Sequence, residues 1–370
     1  MEVPFNEPFM PSSVRESSDA LRTLGSYYEN CKKLIKKQLG FERVILTPSC
    51  TSGLELIALT LNIKLGDEII LPSYTYVSTA NAFALRGAKL IFVDTLSHHP
   101  TMDLDLVEKN ITAKTKAIVV VHYGGVAINY EQLKRLKKKY SIPIVEDAAH
   151  CFGSVYKNVA VGSIGDFAAF SFHETKNISC GQGGAVVVNN QSYWHKANLI
   201  AMCGTNKIDF ISKKVDFYSW KTIGSNYLLA EPLCVILLAG LKSLKTINKT
   251  RAMLFENYHK ELSTALKEEV EVVSPLQKGS NGHIFYLTTK NKAKRDQLIA
   301  YLKKQGIEAT FHYSPLHLSE FYLRNGGKKK TLVNTESFGQ TLVRLPLFYQ
   351  LSKTQQQFVI KHVKGFFKVQ

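Results

Sequence analysis

Two residues with reactive side chains, Lys176 and Asp147, follow predicted strands in the first half of the chain. Lys176 comes just after the run Phe167–Phe172 and is followed by a glycine-rich turn. Asp147 ends an apolar run and lies twenty-nine positions before the lysine. In open α/β sheets, ligands bind at the carboxyl ends of the strands. Both side chains are therefore expected to face one ligand.

The chemistry of pyridoxal phosphate requires a lysine and a carboxylate of this kind. A lysine that forms an imine must be neutral, so burial or a nearby positive charge has to lower its pKa. The cofactor ring accepts electrons only while its nitrogen is protonated, and a buried carboxylate keeps that proton in place. Alone, a lysine is more often a surface charge, and an aspartate more often caps a turn. The prediction therefore depends on Lys176 and Asp147 occurring together.

Two further segments match such a cofactor. The run Thr47–Gly53 opens an apolar helical stretch with small hydroxyl residues, among them Thr51 and Ser52. A helix N-terminus offers free backbone amides and a positive dipole end, which suit a phosphate group. Downstream, Tyr76 could stack on an aromatic ring. Each feature alone is weak evidence, because such caps are common and a tyrosine usually packs in a core.

Strands and helices that alternate up to about residue 190 must position these residues. Strands are predicted at Glu68–Leu71, Lys89–Asp94, Ala117–His122, Pro143–Glu146, Phe167–Phe172 and Ala185–Val188. Helices are predicted at Ser17–Leu39, Ser52–Leu61, Val77–Leu85 and Tyr130–Tyr140. Strands joined by crossover helices form a mostly parallel sheet, and the lack of polar alternation indicates that both sheet faces are covered.

The pattern changes after about Pro232. One long helix is predicted over Cys234–Leu266, followed by strands at Val270–Val273, His283–Thr288 and Glu308–His312, and by helices at Lys294–Gln305 and Lys353–Phe366. We therefore expect an α/β fold in two domains. Residues 1–240 would form a large cofactor-binding domain with a mostly parallel sheet, and residues 241–370 a small C-terminal α+β domain.

The composition indicates which ligands and partners the protein is expected to have. Its 47 basic and 30 acidic residues give a net charge of +17, which would attract anionic small molecules. The lysines are dispersed, so no nucleic-acid partner is expected. The six single cysteines lack metal-ligand spacing, so no metal site is expected either. The longest apolar run, Pro232–Leu241, is too short to cross a bilayer and no secretory signal is found, so we expect a cytoplasmic protein without membrane contact.

Assembled in this order, the motifs resemble the sugar-nucleotide aminotransferases of the DegT/DnrJ/EryC1/StrS family. The similarity runs from Pro4-Phe-Asn-Glu-Pro8 to Arg344–Tyr349. The lysine and aspartate motifs are specific to the family. The runs Gly204-Thr-Asn206 and Phe311–His317 occur in a smaller subgroup of the family, and they are typical of members that make dTDP-4-amino-4,6-dideoxygalactose. The resemblance implies pyridoxal-phosphate fold type I, the aspartate-aminotransferase-like fold.

The resemblance also implies roles for residues around the cofactor. Lys176 would bind it and move a proton between substrate and cofactor, while Asp147 would pair with the ring nitrogen. His150 would lie by the phenolic oxygen of the ring, and Tyr76 would stack on its face. Three hydroxyl residues would hold the phosphate: Thr51, Ser52 and Ser171.

Three more residues receive roles from the same resemblance. Asn226 would reach the phosphate from the partner subunit, which implies a homodimer with shared active sites. His312 and His317 would shape the sugar-nucleotide pocket.

The implied reaction transfers an amino group from L-glutamate to a nucleotide-linked keto sugar. The acceptor would be dTDP-4-keto-6-deoxyglucose, and the product dTDP-4-amino-4,6-dideoxygalactose would feed the O-antigen of lipopolysaccharide or a related surface polysaccharide. Formation of the gluco epimer at C4 and amination at C3 both stay open. A distant alternative is a basic regulator that keeps the fold without catalysis. Lys176 disfavours the dehydrases of the family, which carry histidine there.

Two departures from the family pattern are visible. Where the family usually has Gly-Glu-Gly-Gly, this chain has Gly181-Gln-Gly-Gly184, which removes a charge beside the lysine. After Tyr227, the usual opening of the next helix is replaced by Glu231-Pro-Leu-Cys-Val235. Because of the second departure, the family pattern no longer predicts the local interface and the sugar contacts. Neither departure changes Lys176 or Asp147.

Overall fold

A seven-stranded sheet forms the centre of the molecule, for which a computed structural model describes residues 26–368 together with Met1 and Pro4. The strands are β1 (Val44–Thr47), β2 (Glu68–Pro72), β3 (Lys89–Val93), β4 (Thr115–Val121), β5 (Ile144–Asp147), β6 (Val155–Tyr156), β7 (Val159–Ala160), β8 (Phe167–Ser171), β9 (Gly184–Val188), β10 (Val270–Val273), β11 (Phe285–Thr289) and β12 (Leu342–Leu345). The central order is β1-β9-β8-β5-β4-β2-β3. Strand β9 runs in the direction opposite to the other six strands of this sheet, which confirms the predicted mostly parallel arrangement.

The described chain contains thirteen α-helices, several of which cover the two faces of this sheet. They are α1 (Tyr27–Leu39), α2 (Cys50–Thr60), α3 (Val77–Ala84), α4 (Leu104–Lys109), α5 (Tyr130–Tyr140), α6 (Trp194–Ala201), α7 (Lys207–Ile211), α8 (Glu231–Lys242), α9 (Leu244–Ser263), α10 (Lys292–Lys304), α11 (Glu320–Arg324), α12 (Val333–Thr341) and α13 (Lys353–Phe367). Strand β2 shows how the faces divide: Ile70 packs in the cluster under α1, α5 and α8, while Ile69 and Leu71 pack under α2, α3 and α6. None of these helices, within residues 26–368, is long and apolar enough to span a membrane.

A second, smaller sheet follows in the C-terminal part of the chain. Its three strands are antiparallel in the order β10-β11-β12. Helices α9, α10 and α13 bury apolar side chains against it, including Tyr258, Leu298 and Val359 around Phe285. The fold class is thus the predicted one, an α/β large part with a smaller α+β part. The domain boundary predicted at residue 240 falls near the end of α8 and stays a prediction.

Several predicted elements differ from the structure. The single helix predicted over Cys234–Leu266 is wrong, because the chain forms α8 and α9 with a break at Ser243. The strand predicted at Glu308–His312 is also wrong, since only Thr310 makes an isolated bridge, to Arg344. Strands β1 and β12 are absent from the prediction. Of the helix predicted from Ser17, residues 17–25 lie outside the described residues, as does the motif at residues 5–8.

Candidate active site

A cavity of about 610 Å³ opens at the carboxyl edge of the central sheet. The ends of β4, β5 and β8 and the segment after β2 contribute His122, Asp147, Ser171 and Thr75 to its lining. These strands are parallel, so their carboxyl ends meet at one edge, where ligands of such sheets bind. Arg344 of β12 closes one side of the cavity. The two sheets therefore line the site together.

Asp147 holds a buried carboxylate in the middle of this edge. Its backbone pairs in register with Val121 of β4 and Ala169 of β8. Thr79 Oγ1 donates a hydrogen bond to Oδ2 at 2.7 Å, and the Ala149 amide donates one to Oδ1 at 3.1 Å. Burial raises the pKa of Asp147, although these two hydrogen bonds oppose the rise. Such a group gains from a cationic partner in the cavity.

Lys176 lies on the turn between β8 and β9, and its side chain lines the same cavity. The turn is tightened by a hydrogen bond from the Lys176 amide to the His173 carbonyl at 2.9 Å. Burial lowers the pKa of the Lys176 amine from the usual 10.5 to about 8; Arg344 also lowers it, while Cys50 and Asp147 act in the opposite direction. An amine with a pKa near 8 is partly neutral at neutral pH, which nucleophilic attack on a carbonyl requires.

The N-terminus of α2 lies at the cavity and has the features that suit an anion. Ser49 caps the helix by accepting a hydrogen bond from the Ser52 amide at 3.0 Å, and Thr51 Oγ1 donates to Ser78 Oγ at 2.8 Å. Thr51 and Ser171 line the cavity, and the helix adds its positive dipole end. The Ser52 hydroxyl does not belong to the lining, because it is bonded to Ser49 Oγ at 2.8 Å.

His150 lies in the cavity wall as a neutral imidazole. The Gly124 amide donates to His150 Nδ1 at 3.2 Å, and the Tyr313 hydroxyl lies 3.3 Å from Nε2. Burial lowers the pKa of His150 well below its usual range, and the positive charges of Lys176 and Arg344 add to the effect. Because Nδ1 accepts from a backbone amide, the neutral ring carries its hydrogen on Nε2.

His312 and Tyr313 form the adjoining part of the wall. Their rings stack with centroids 3.6 Å apart, and both line the cavity. The Tyr123 hydroxyl lies 2.6 Å from His312 Nδ1. Tyr76 also lines the cavity, is 58% exposed, and has its ring centroid 6.3 Å from that of Tyr313. The exposed Tyr76 ring is therefore available to stack on a flat ligand.

Besides Ser52, two predicted site residues do not line this cavity within the described chain. His317 is buried elsewhere, with Nδ1 2.7 Å from Ser73 Oγ and Nε2 3.3 Å from Glu336 Oε1. Through these two contacts His317 connects the segment around Ser73 with the helix that contains Glu336. Its predicted contact with the sugar stays a prediction. Asn226 is exposed and is not part of the lining of its own cavity.

Among the lining residues to which the sequence reasoning gives no role are Tyr313, Arg344 and His283. Tyr313 and Arg344 occur inside the motifs Phe311–His317 and Arg344–Tyr349, and that membership is the signal that could have found them. His283 lies with its ring centroid 4.6 Å from that of His150. Its isolated position in the sequence gives no comparable signal.

Comparison with known proteins decides the family. The model of the DegT/DnrJ/EryC1/StrS aminotransferase family matches residues 12–364. The chain belongs to this family. The UDP-4-amino-4-deoxy-L-arabinose–oxoglutarate aminotransferase of Shewanella sediminis is 31% identical over 371 residues, which cover 93% of this chain and 92% of that protein.

Solved structures of aminotransferases have the same fold. PseC of Helicobacter pylori, an aminotransferase involved in the biosynthesis of pseudoaminic acid, gives a TM-score of 0.87 at 26% identity and covers 100% of both chains. Spr1654 of Streptococcus pneumoniae in its PMP form gives 0.89 at 25% identity, over 100% of this chain and 98% of that chain. The DegT/DnrJ/EryC1/StrS protein described here therefore has the fold-type-I architecture.

This family member is a sugar aminotransferase that depends on pyridoxal phosphate. Its cavity fits the cofactor, because a buried carboxylate, an amine of low pKa and a helix N-terminus lie around one space. When bound, the cofactor supplies an electron sink for the substrate carbon that loses or gains a proton. The alternative of a non-catalytic regulator is set aside, since Lys176 and Asp147 are both in place.

Proposed function

We propose that the enzyme transfers the amino group of L-glutamate to C4 of a dTDP-4-keto-6-deoxyhexose and makes dTDP-4-amino-4,6-dideoxygalactose. The product would serve the synthesis of O-antigen or a related surface polysaccharide in the cytoplasm. The observation that carries the proposal is the place of His312 and Tyr313. Both belong to the segment Phe311–His317, which is typical of members with this product, and both line the cavity that contains Lys176.

The charge of the molecule supports a nucleotide-linked substrate. The net charge of +17 attracts anionic small molecules from solution. The substrate would carry its negative charge on the diphosphate, while the reacting sugar ring is neutral. A cavity of about 610 Å³ lies within the range of small-molecule sites and holds a sugar ring beside the cofactor.

Individual residues receive proposed roles from their positions. Lys176 would bind the cofactor and carry the proton, while Asp147 would keep the ring nitrogen protonated and His150 Nε2 would donate to the phenolic oxygen. Tyr76 would stack on the ring, and Thr51 and Ser171 would contact the phosphate. Ser52 lies outside the lining, and its proposed contact with the phosphate comes from the family resemblance alone.

A homodimer with shared active sites is part of the same proposal. Asn226 is exposed and outside its own cavity, so it is available to a partner subunit. The chain just before it exposes large apolar side chains, including Phe217, Trp220 and Ile223. Such a patch is typical of a protein interface. We infer that this surface packs on a second copy and brings Asn226 to the cofactor phosphate of that copy.

Product structure tests the proposal directly. Purified enzyme with pyridoxal phosphate and L-glutamate would be incubated separately with dTDP- and UDP-linked 4-keto and 3-keto sugars. We expect amination of the dTDP-4-keto-6-deoxyhexose, with the proton couplings at C4 in NMR spectra showing an axial amine, as in a galacto sugar. An equatorial amine, or turnover confined to a 3-keto sugar, would contradict it. A preference for a UDP-linked sugar would agree with the substrate in the name of the Shewanella relative instead.

A further inference from the structure

Tyr123 lies directly behind His312 and does not itself line the cavity. It follows strand β4, is fully buried, and packs in a cluster that includes Tyr74, Tyr286 and Ile284. Its hydroxyl makes a 2.6 Å hydrogen bond with His312 Nδ1. The direction of this one bond decides which nitrogen of His312 carries a hydrogen.

The surroundings of Tyr123 determine that direction. Burial raises the pKa of Tyr123, so its hydroxyl keeps the hydrogen. The Tyr123 hydroxyl lies 2.6 Å from His312 Nδ1, whereas the Tyr74 hydroxyl, which also acts on the pKa of Tyr123, has no partner within hydrogen-bond distance in the described chain, and neither has the Tyr286 hydroxyl. A buried hydroxyl hydrogen without an acceptor is strongly disfavoured. Tyr123 therefore donates the hydrogen bond, and His312 Nδ1 accepts it.

The other nitrogen of His312 is then a donor. Burial lowers the pKa of His312 well below its usual range, and the positive charge of Arg344 adds to this effect. A neutral imidazole that accepts at Nδ1 carries its hydrogen on Nε2, away from Tyr123. The stacked ring of Tyr313, tilted by 28°, limits rotation of the imidazole. His312, a residue of the cavity lining, thus carries an uncharged N–H group on the side of its ring away from Tyr123.

Resting on the proposed function, we propose that Tyr123 is a positioning residue for the keto sugar. By fixing the tautomer of His312, Tyr123 makes Nε2–H a donor to an uncharged oxygen of the sugar ring, either the carbonyl or a hydroxyl. A protonated histidine would instead attract the carboxylates of glutamate or the diphosphate. The neutral donor therefore contributes to the sugar half-reaction and contributes little to the glutamate half-reaction.

The two half-reactions can be measured separately by single-turnover absorbance changes of the cofactor. Tyr123→Phe should weaken the apparent affinity for the keto sugar about three- to tenfold, the loss expected for one uncharged hydrogen bond. The glutamate half-reaction should stay within about twofold of wild type. Tyr286→Phe is the matched control, because it removes a hydroxyl without a partner from the same cluster, and both half-reactions should stay unchanged.

A second set of variants makes the test independent of whether Tyr123→Phe folds. His312→Gln places an amide N–H near the position of Nε2 and needs no tautomer, so it should keep most of the sugar affinity, whereas His312→Ala should lose it. Adding Tyr123→Phe to His312→Gln should then cause no further loss.

Several outcomes would overturn the inference. They are equal slowing of both half-reactions in Tyr123→Phe, wild-type behaviour of that variant, or a full additional loss in the double variant. If the wild-type enzyme aminates a different nucleotide-linked keto sugar, the proposed substrate is wrong and the same comparison is made with the sugar that reacts. A wild-type enzyme that accepts no keto sugar would overturn both proposals.

Discussion

Lys176 and Asp147 carry charges of opposite sign, and burial moves both toward neutrality. It lowers the pKa of the amine to about 8 and raises the pKa of the carboxyl, and the attraction between the two groups opposes both shifts. A protonated ring nitrogen placed against Asp147 would restore the charge of the carboxylate. The same burial therefore prepares a nucleophile and a proton-holding group at two ends of one ligand.

Removing the charge of Asp147 should affect chemistry more than binding. In Asp147→Asn we expect pyridoxal phosphate to stay bound while both half-reactions slow at least about 100-fold, because an amide cannot hold the ring proton. Stopped-flow absorbance measures both steps. Thr79→Val, which removes one hydrogen bond to Oδ2, should lose about tenfold or less. Turnover near the wild-type level in Asp147→Asn would remove this residue from the cofactor site.

The pH dependence of cofactor capture follows from the pKa of Lys176. Below about pH 8 the amine is mostly protonated, so the rate at which the apoenzyme captures pyridoxal phosphate should rise with pH and level off above that value. Arg344→Met removes a positive charge that lowers the pKa, so the midpoint should move to higher pH. Rapid-mixing absorbance measurements from pH 6 to about pH 10 test both statements. A midpoint near pH 10.5 in the wild type would show that the protein does not lower the pKa of the Lys176 amine.

At the level of the elements, β9 is in close contact with the start of α2, where the cofactor phosphate is proposed to bind. A Cβ on Gly184, the first residue of β9, would lie 2.5 Å from the Ser49 carbonyl carbon and 2.5 Å from the Cys50 amide nitrogen. Both atoms belong to the backbone, so the start of α2 would have to shift. Gly184→Ala should therefore weaken binding of the cofactor phosphate about tenfold or more and destabilise the fold by about 1–3 kcal/mol.

Equilibrium dialysis with pyridoxal phosphate and thermal unfolding would measure these two effects. Gly365→Ala is the matched control, since its added Cβ would meet only the Tyr301 hydroxyl at 3.6 Å, an ordinary contact. That control should bind the cofactor like the wild type. Unchanged phosphate affinity in Gly184→Ala would mean that the first turn of α2 does not hold this group.

The elements that sequence reasoning predicts best are those with continuous apolar runs. Strands β2, β4 and β8 are buried on both faces and appear within two residues of their predicted ends. The break between α8 and α9 was not predictable, because the residues around Ser243 continue the helical pattern. The segment around Thr310 has strand-like composition, yet it meets β12 at a single bridge. Pairing with a distant strand decides such cases, and local sequence does not contain that information.

The residues of the candidate site likewise fall into those that a local motif reveals and those that only the folded chain brings together. Lys176, Asp147, Thr51 and Ser171 could be predicted, because each lies in a local motif at the end of a strand or the start of a helix. Arg344 could not be placed beside Lys176 from the sequence, since it comes from the other sheet. His317 shows the reverse error: its motif lies beside the cavity in sequence, while its side chain points to Ser73 and Glu336.

At the level of the whole molecule, the proposal of a composite active site predicts complementation between inactive subunits. Lys176→Ala and Asn226→Ala subunits, each inactive alone, should recover activity when co-expressed. In a mixed dimer one site would carry both native residues and the other neither. With random pairing about half the dimers are mixed, so recovery should approach about a quarter of wild-type activity if the sites are independent.

Two controls make the complementation decisive. Asn226→Ala must be clearly impaired alone, and successive affinity purification on two different tags, one on each variant, must show that the two subunits form mixed dimers. Trp220→Ser, in the exposed apolar segment, should promote dissociation and reduce recovery. Mixed dimers without recovery would mean that Asn226 serves its own subunit or none.

Covalent trapping of the cofactor tests the central claim, that Lys176 is the residue through which this sugar aminotransferase acts. Holoenzyme would be reduced with borohydride, digested, and mapped by mass spectrometry for the phosphopyridoxyl group. One labelled peptide is expected, with the label on Lys176, and no label when the enzyme is first converted with L-glutamate to its amine form. Lys176→Ala should carry no label and show no turnover. A label on another lysine, or a labelled Lys176→Ala protein, would contradict it.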